Sequence, residues 1–398
     1  MQPKTGTVRA VNRLTRRWAA ALPGQESTAF SAPSLWPLLA LLADPAAGPA
    51  REELEEAIGV RAESAVRMVH ELLDAFAGIR GTHTALGFWT SEGLPLHPEW
   101  TLRLPSGLTG VLDADPAVSQ ERLDAWAAEH TDGLINSMPT KIDETTRLVL
   151  AGAQLVRTRW LRPFTETLMW AHEGPWRDRP LVGLYRSSSL LDRLSVVETP
   201  SGPLTVVKVM GSTGVDVHLL LGPEEWAPAE VLTQGIRSLH GDAVTGDRLP
   251  LGEPGPGVSV RNVRSLRPGK PQLRVTTSPF RIDVRHDLMQ QAALYGLGTA
   301  SDRNRGHFPG IGPHPLAVQE AAQSALAVFD AKGFESAAVT VVPAAAGGAP
   351  PEPRYTVRQV AADFDRPFGF LTVHRTSRLV LTAGWVAHPV PYSADDRH

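Results

Sequence analysis

Side chains that could do chemistry are few and dispersed in this chain. Thirteen histidines are scattered along it, and the pair His172 and Glu173, set beside Trp170 and Trp176, could line a pocket. The same residues also suit an amphipathic surface strand or loop. No Walker-type phosphate loop, His-Glu-x-x-His zinc helix or Gly-x-Ser-x-Gly elbow is present. Gly296-x-Gly298 reads as a helix terminus rather than a dinucleotide site. Cysteine is absent, which excludes disulfides, thiolate metal sites and a cysteine nucleophile. The sequence therefore predicts no catalytic residues, no cofactor and no metal.

The charge balance narrows the partners. Lys+Arg 39 against Asp+Glu 42 leaves a net charge of -3 over 398 residues, so nothing global favours nucleic acid or an anionic membrane. Helix 62–76 has only Arg61, Arg67 and His70 on or beside it, too few for a polyanion-binding stripe. The basic start (Lys4, Arg9, Arg13, Arg16, Arg17) resembles the head of a signal peptide, but the apolar run Trp18 to Leu22 is short and is followed by Pro23-Gly24. The run Leu35 to Ala43 is too short to span a bilayer. The expectation is a cytoplasmic chain or a mature secreted one, monomeric, whose partner is a protein or peptide.

The most informative feature is a segment rather than a side chain. Gly333 to Pro353 reads GFESAAVTVVPAAAGGAPPEP. Ser336 to Val342 has strand composition, whereas Ala344 to Pro353 cannot hold a ladder, since proline lacks the donor and glycine is too free. Half strand and half exposed loop suggests a loop able to enter a sheet.

The elements around it are helical first. Val8 to Ala21 places Val11, Leu14, Trp18 and Ala21 on one face. Ser34 should cap a helix with Pro37 in its first turn, Pro49 to Ile58 should end at a left-handed Gly59, and Ala62 to Phe76 and Ser119 to His130 should follow, the last capped by Ser119. Thr84 to Thr90 interposes a strand. Strands then predominate: Leu148 to Trp160 as a central strand buried on both faces, Leu204 to Met210 with Val215 to Leu221 as a hairpin, and Phe280 to Val284. The C-terminal hairpin should pair Phe368 to His374 with Leu379 to Val386. Residues 242–271 read as a surface excursion, 287–297 as a helix, and Leu316 to Phe329 fits helix or strand. This order implies an α+β fold.

Several blocks carry a resemblance to a known family. FSAPSLWPLLALLADPAAGPAREELEEAIG (30–59), LDAWAAEHTDGLI (123–135), TRLVLAGAQLVRTRWLRPF (146–164), FRIDVRHDLMQQAALYGLGTASD (280–302), AKGFESAAVT (331–340) and DRPFGFLTVHRTSRLVLTAGWVAHP (365–389) are similar, in order, to conserved blocks of the serpins. The chain is identified as a divergent, bacterial-type member of that family. The resemblance implies one domain over 1–398, three β-sheets, about eight or nine α-helices and an exposed reactive-centre loop over 334–363. In inhibitory serpins a serine or cysteine protease cuts that loop, the hinge half enters the main sheet as a further strand, and the acylated protease is dragged along and distorted. The serpin supplies no nucleophile.

Against that pattern the residues are mixed. The hinge would be Gly333, Phe334, Glu335, Ser336, Ala337, Ala338, Val339 and Thr340, small or matching the family pattern except for Phe334, where the inhibitory family usually has threonine or another small residue. That ring either plugs the sheet, at an overpacking cost of about 1–3 kcal/mol, or sits in a repacked core. Beneath the opening, Ser34, Gly152 and Gln323 stand where the family commonly has serine, asparagine and histidine. Gly152 brings no side chain to that network. Trp160 matches the tryptophan at the sheet's upper end, the family's acidic residue before the hinge is replaced by Ala331, and Asp124 replaces an asparagine. The scissile bond would fall near Gly347-Gly348, with Arg354-Tyr355 the better protease site. The loop is longer than usual by about nine residues, up to roughly 30 Å of slack. Two functions follow: a protease inhibitor, or a non-inhibitory serpin scaffold used for ligand or partner binding or recruited catalysis.

Overall fold

The computed structural model describes residues 4–171, 174–266, 268–334 and 355–392. The helical first third contains α1 (Thr5–Ala20), β1 (Thr28–Phe30), α2 (Trp36–Ala43), α3 (Gly48–Ile58), α4 (Ala62–Gly78), β2 (Thr82–Ser91), α5 (Pro98–Arg103), β3 (Thr109–Leu112) and α6 (Pro116–His130). Strands then dominate: β4 (Leu148–Val156), β5 (Thr158–Arg159), β6 (Thr165–Trp170), β7 (Pro180–Ser188), β8 (Leu194–Thr199), β9 (Gly202–Val209) and β10 (Val215–Leu221). After α7 (Pro228–Ser238) come β11 (Val244–Thr245), β12 (Gly252–Gly255), β13 (Val258–Ser265), β14 (Gln272–Thr277) and β15 (Phe280–Asp287). The chain closes with β16 (Glu320–Phe329), β17 (Gly333–Phe334), β18 (Tyr355–Asp363), β19 (Phe368–His374) and β20 (Val380–Val386).

The strands form three sheets, in agreement with the α+β expectation. The main sheet runs β3-β2-β4-β16-β17-β5, with β15 on the other side of β16. A seven-stranded sheet, β1-β20-β19-β10-β9-β8-β11, packs behind it, and a third runs β12-β13-β18-β14-β7-β6. The principal core extends from Val8 on α1 to Val386 on β20. A smaller cluster seals α6 onto the opposite face of the main sheet through Leu123, Ala127, Ala151, Ala153, Ala322 and Leu326. Strands β4 and β16 are thus buried on both faces, which explains their unbroken apolar runs.

Local chemistry follows the sequence with definite departures. Gly59 ends α3 at φ 73°, as its position predicts. The α6 cap is Asp115, whose carboxylate accepts from the Ala117 amide, rather than Ser119, which is buried and donates to the Asp113 carbonyl. Ser34 closes a 3-10 turn, Ala32–Ser34, and its hydroxyl donates to the Ser31 carbonyl instead of capping α2. The expected helix over 287–297 is a kinked 3-10 segment, Leu288–Tyr295, capped by Asp287 and ended by left-handed Gly296. The alanine-rich segment before the hinge is strand β16, since small side chains suit a strand covered on both sides.

The largest departure is at 242–271. The segment lies largely at the surface, as expected, but supplies β11, β12 and β13, and β13 pairs with β18 over eight residues, Val258↔Ala362 through Ser265↔Tyr355. Glycines and prolines there make the tight connections of a hairpin rather than an unstructured loop.

Candidate functional site: the opening of the main sheet

The upper and lower halves of the main sheet differ. Below, β4 and β16 pair directly and in parallel, from Glu320↔Val149 to Ala325↔Gln154. Above, the chain leaves β16, turns through 330–332 and returns as β17, which pairs antiparallel to both sides, Phe329↔Phe334 and Phe334↔Thr158. The turn is built by Asp330, whose Oδ1 accepts from the amides of Lys332 and Gly333 at 2.7 and 2.8 Å. Its Oδ2 is buried without a hydrogen-bond partner. The neighbouring Glu166 carboxyl is held above the usual range by burial and then by the charge of Asp330.

Gly333 is dictated by space: a Cβ there would come 2.5 Å from the Thr158 carbonyl oxygen. Phe334 is 1% exposed, and its ring centroid lies 6.2 Å from that of Phe370. The ring extends an aromatic cluster in which Phe280 meets Phe329 at 5.3 Å and Phe370 at 4.7 Å. Trp160 closes the top, donating from Nε1 to the Asp330 carbonyl at 2.9 Å and lying 4.9 Å from Phe329. Ala331 is nearly buried and its carbonyl accepts from the Phe164 amide, so it contributes backbone where the family has an acid.

Below the opening lies a complete polar network. Gln323 donates to the Ser34 hydroxyl at 2.8 Å and the Ser31 carbonyl at 2.7 Å, and accepts from the Ser31 amide at 2.9 Å. Ser31 also donates to Gln154, which reaches on to Thr84 at 3.2 Å. The turn Ser31 to Ser34 therefore holds β4 through Gln154 and β16 through Gln323. Gly152, directly opposite Gln323, has a different reason from weak strand packing: a Cβ there would lie 2.4 Å from the Ser34 carbonyl oxygen. Its missing side chain lets the turn press against the sheet. Gln154 and Asp330 were not singled out from sequence, although Gln154 is marked there as a lone polar residue in an apolar strand.

The far side of the loop is anchored more firmly than the sequence suggests. Residues 355–363, within the span expected to be loop, are strand β18, antiparallel to β13 and parallel to β14 from Gln272↔Gln359 to Thr276↔Asp363. The C-terminal part of the expected loop is thus paired with β13 over 355–362 and with β14 over 359–363. Tyr355 begins that strand, 45% exposed. Glu335, Ser336, Ala337, Ala338, Val339, Thr340, Gly347, Gly348 and Arg354 lie outside the described residues, as do His172 and Glu173. Beside the last pair, Trp176 is buried and donates to the Ala387 carbonyl, whereas Trp170 is half exposed. Among the described residues there is no group of three or more potential metal ligands, and no helix is long and apolar enough to cross a membrane.

Comparisons with known proteins agree with this architecture. A family profile described as Serpin (serine protease inhibitor) matches residues 9–172. Serpin-Z2B of Oryza sativa subsp. japonica is 23% identical over 398 residues, spanning 90% of this chain and 91% of that protein. Among solved structures, Serpin48 of the insect Tenebrio molitor superposes with a TM-score of 0.72 at 18% identity, covering 97% of this chain and 99% of that one. Thyroxine-binding globulin in complex with thyroxine gives 0.71 at 16% identity, covering 96% and 99%. With its three sheets and β17 set into the main sheet, the chain has the serpin fold, and its first part matches the serpin family profile.

Proposed function

We propose that this chain is a protease inhibitor acting by loop cleavage and insertion, a divergent, bacterial-type serpin working as a single monomeric domain over 1–398. The observation that carries the reading is β17, a two-residue strand already seated between β5 and β16 above a directly paired β4 and β16. Extending that antiparallel register downward sets each next residue in a defined place. Ser336 would come beside Ala327, Ala338 beside Ala325, and Thr340 between Gln323 and Gly152. Strand alternation puts these three on the same face as Phe334, where Ala325 and Ala327 belong to the principal core. All three are small, as a close-packed interior requires, and the Thr340 hydroxyl would reach Gln323 as the sheet opens.

The strand exchange gains ladder hydrogen bonds and apolar burial, and this gain is the driving force for distorting a tethered protease. The serpin's residues position and move; the acylating nucleophile belongs to the protease. Incubation with a panel of serine and cysteine proteases followed by a denaturing gel tests the reading. A covalent complex resistant to denaturant is expected, and cleavage of the loop between 341 and 354 with full release of active protease would overturn it.

A second reading rests on the fold alone: a non-inhibitory scaffold that binds a ligand or partner also fits, since thyroxine-binding globulin, named for its ligand, has this fold. Turnover of every protease without a complex would favour it.

A further inference from the structure

A cavity of about 620 Å³ lies away from the sheet opening, where the end of α1 meets β1, the end of β15 and the connector that carries Pro139 to Lys141. Its volume falls within the range of small-molecule sites. One wall is aromatic: Trp18 meets Tyr295 edge-on at 5.1 Å and His286 at 5.2 Å, and Leu22 extends the apolar lining. Tyr295 is 2% exposed and lines the cavity.

The charged groups around this wall are unequally engaged. Glu26 meets His388 at 2.9 Å, and Asp287 accepts from the Met289 amide and the Gln290 side chain. Both acids are thus hydrogen-bonded, and Asp287, whose partners are neutral, keeps its negative charge. Lys141 and Arg285 line the same cavity, both exposed, and neither side chain has a carboxylate within 4 Å among the described residues. The Lys141 backbone amide donates to Glu320, whose carboxylate also attracts the Lys141 ammonium group at the cavity's edge. His286 donates from Nε2 to the Ala29 carbonyl, and burial holds its pKa below the usual value, so it is neutral near pH 7 and adds no third cation.

We propose that this cavity is a binding site for a small amphipathic anion, a flat aromatic body against Trp18 and Tyr295 with a carboxylate or sulfonate held by Arg285 and Lys141. Aromatic walls with a few convergent polar groups are the usual composition of such sites, and a guanidinium suits a planar anion. The proposal is independent of protease inhibition, since no residue of the sheet opening takes part.

Two fluorescent probes of similar shape separate the parts of the claim: 1-anilinonaphthalene-8-sulfonate, which is anionic, and N-phenyl-1-naphthylamine, which is not. The native protein should bind the anionic probe saturably, one per chain. The double variant Lys141→Gln, Arg285→Gln should weaken it about tenfold, as expected for loss of charge-assisted hydrogen bonds, while leaving the neutral probe within about twofold. Ala21→Trp, which fills the cavity, should abolish both, and Arg261→Gln, Arg264→Gln on β13 should change neither. Unsaturable binding, or unchanged anionic-probe affinity in the Lys141 and Arg285 double variant, would overturn the proposal.

Discussion

At the residue scale, the instructive positions are those where the sequence departs from its family and the structure supplies a reason. Phe334 need not enter the sheet after cleavage; it is already inside, packed beside Phe370 and paired with Phe329 and Thr158. A buried ring present before and after insertion cannot be the barrier between the two states. Phe334→Thr should therefore lower the melting temperature of the intact protein, on the scale of the few kcal/mol lost when a buried phenylalanine is truncated, while changing the insertion rate after loop cleavage by less than about twofold. Stopped-flow insertion kinetics beside thermal melts check this, and a marked acceleration would restore the ring as a plug. Gly152 and Gln323 act together in the same sense, one yielding space to Ser34 and the other bonding it. That pairing was illegible in sequence because it depends on how closely a distant turn approaches the strand. His218 on β10 has its pKa lowered to about 4 by burial and then by the Lys208 charge. The unfolded chain takes up that proton near 6.5 and the folded chain only near 4, so stability falls as pH drops through this window, by up to about 3 kcal/mol in all. His218→Gln should lose less melting temperature between pH 7 and pH 4.5 than the native protein, and parallel losses would show that other groups dominate.

At the element scale, the two ends of the loop are held differently. Its hinge end is the two-residue strand β17, whereas its far end is β18, paired with β13 over 355–362 and with β14 over 359–363. An element bonded on both sides opens only with the surrounding sheet. Cleaving the loop should therefore leave the amides of 355–363 as protected from hydrogen exchange as before, while protection rises along the flanks of the opening, in 149–154 and 320–325. Loss of protection in β18 after cleavage would contradict the clamp. The element order was legible for physical reasons: helical periodicity in α1 and α4 and the apolar run of β4 follow directly from which faces are buried. Residues 252–265 were not, because glycine, proline and charge there obscure a hairpin whose partner strand is about a hundred residues away. The composition of β16 was ambiguous for a related reason, since alanine favours helix alone and a strand only between two covering layers.

At the scale of the whole molecule, the arrangement is a sheet assembled around a missing strand. Above, β17 holds the halves apart; below, the halves close on each other and are stapled from behind by Ser31, Ser34, Gln154 and Gln323. Opening the lower half breaks the direct ladder between β4 and β16 and loosens that staple, but each broken edge is then satisfied by the new strand. In the proposed insertion, Ser336, Ala338 and Thr340 would be set against the core. The inserted state therefore has two ladders where the intact state has one, together with more buried apolar surface, and both changes favour it. With the loop intact, the chain between Phe334 and the fixed end at Tyr355 must span back to β18, which opposes full insertion. Cutting that tether releases the gain. A protease cut between 341 and 354 should thus raise the melting temperature well beyond that of the intact protein, because a 1 kcal/mol gain alone shifts it by only a few degrees. A synthetic peptide of residues 335–342 supplies a separate check: added to intact protein, it should occupy the position between β4 and β16, raise the melting temperature, and block covalent complex formation with a susceptible protease. If cleavage leaves the melting temperature unchanged and the peptide does not bind, the sheet does not accept a strand, and the non-inhibitory reading becomes the better account.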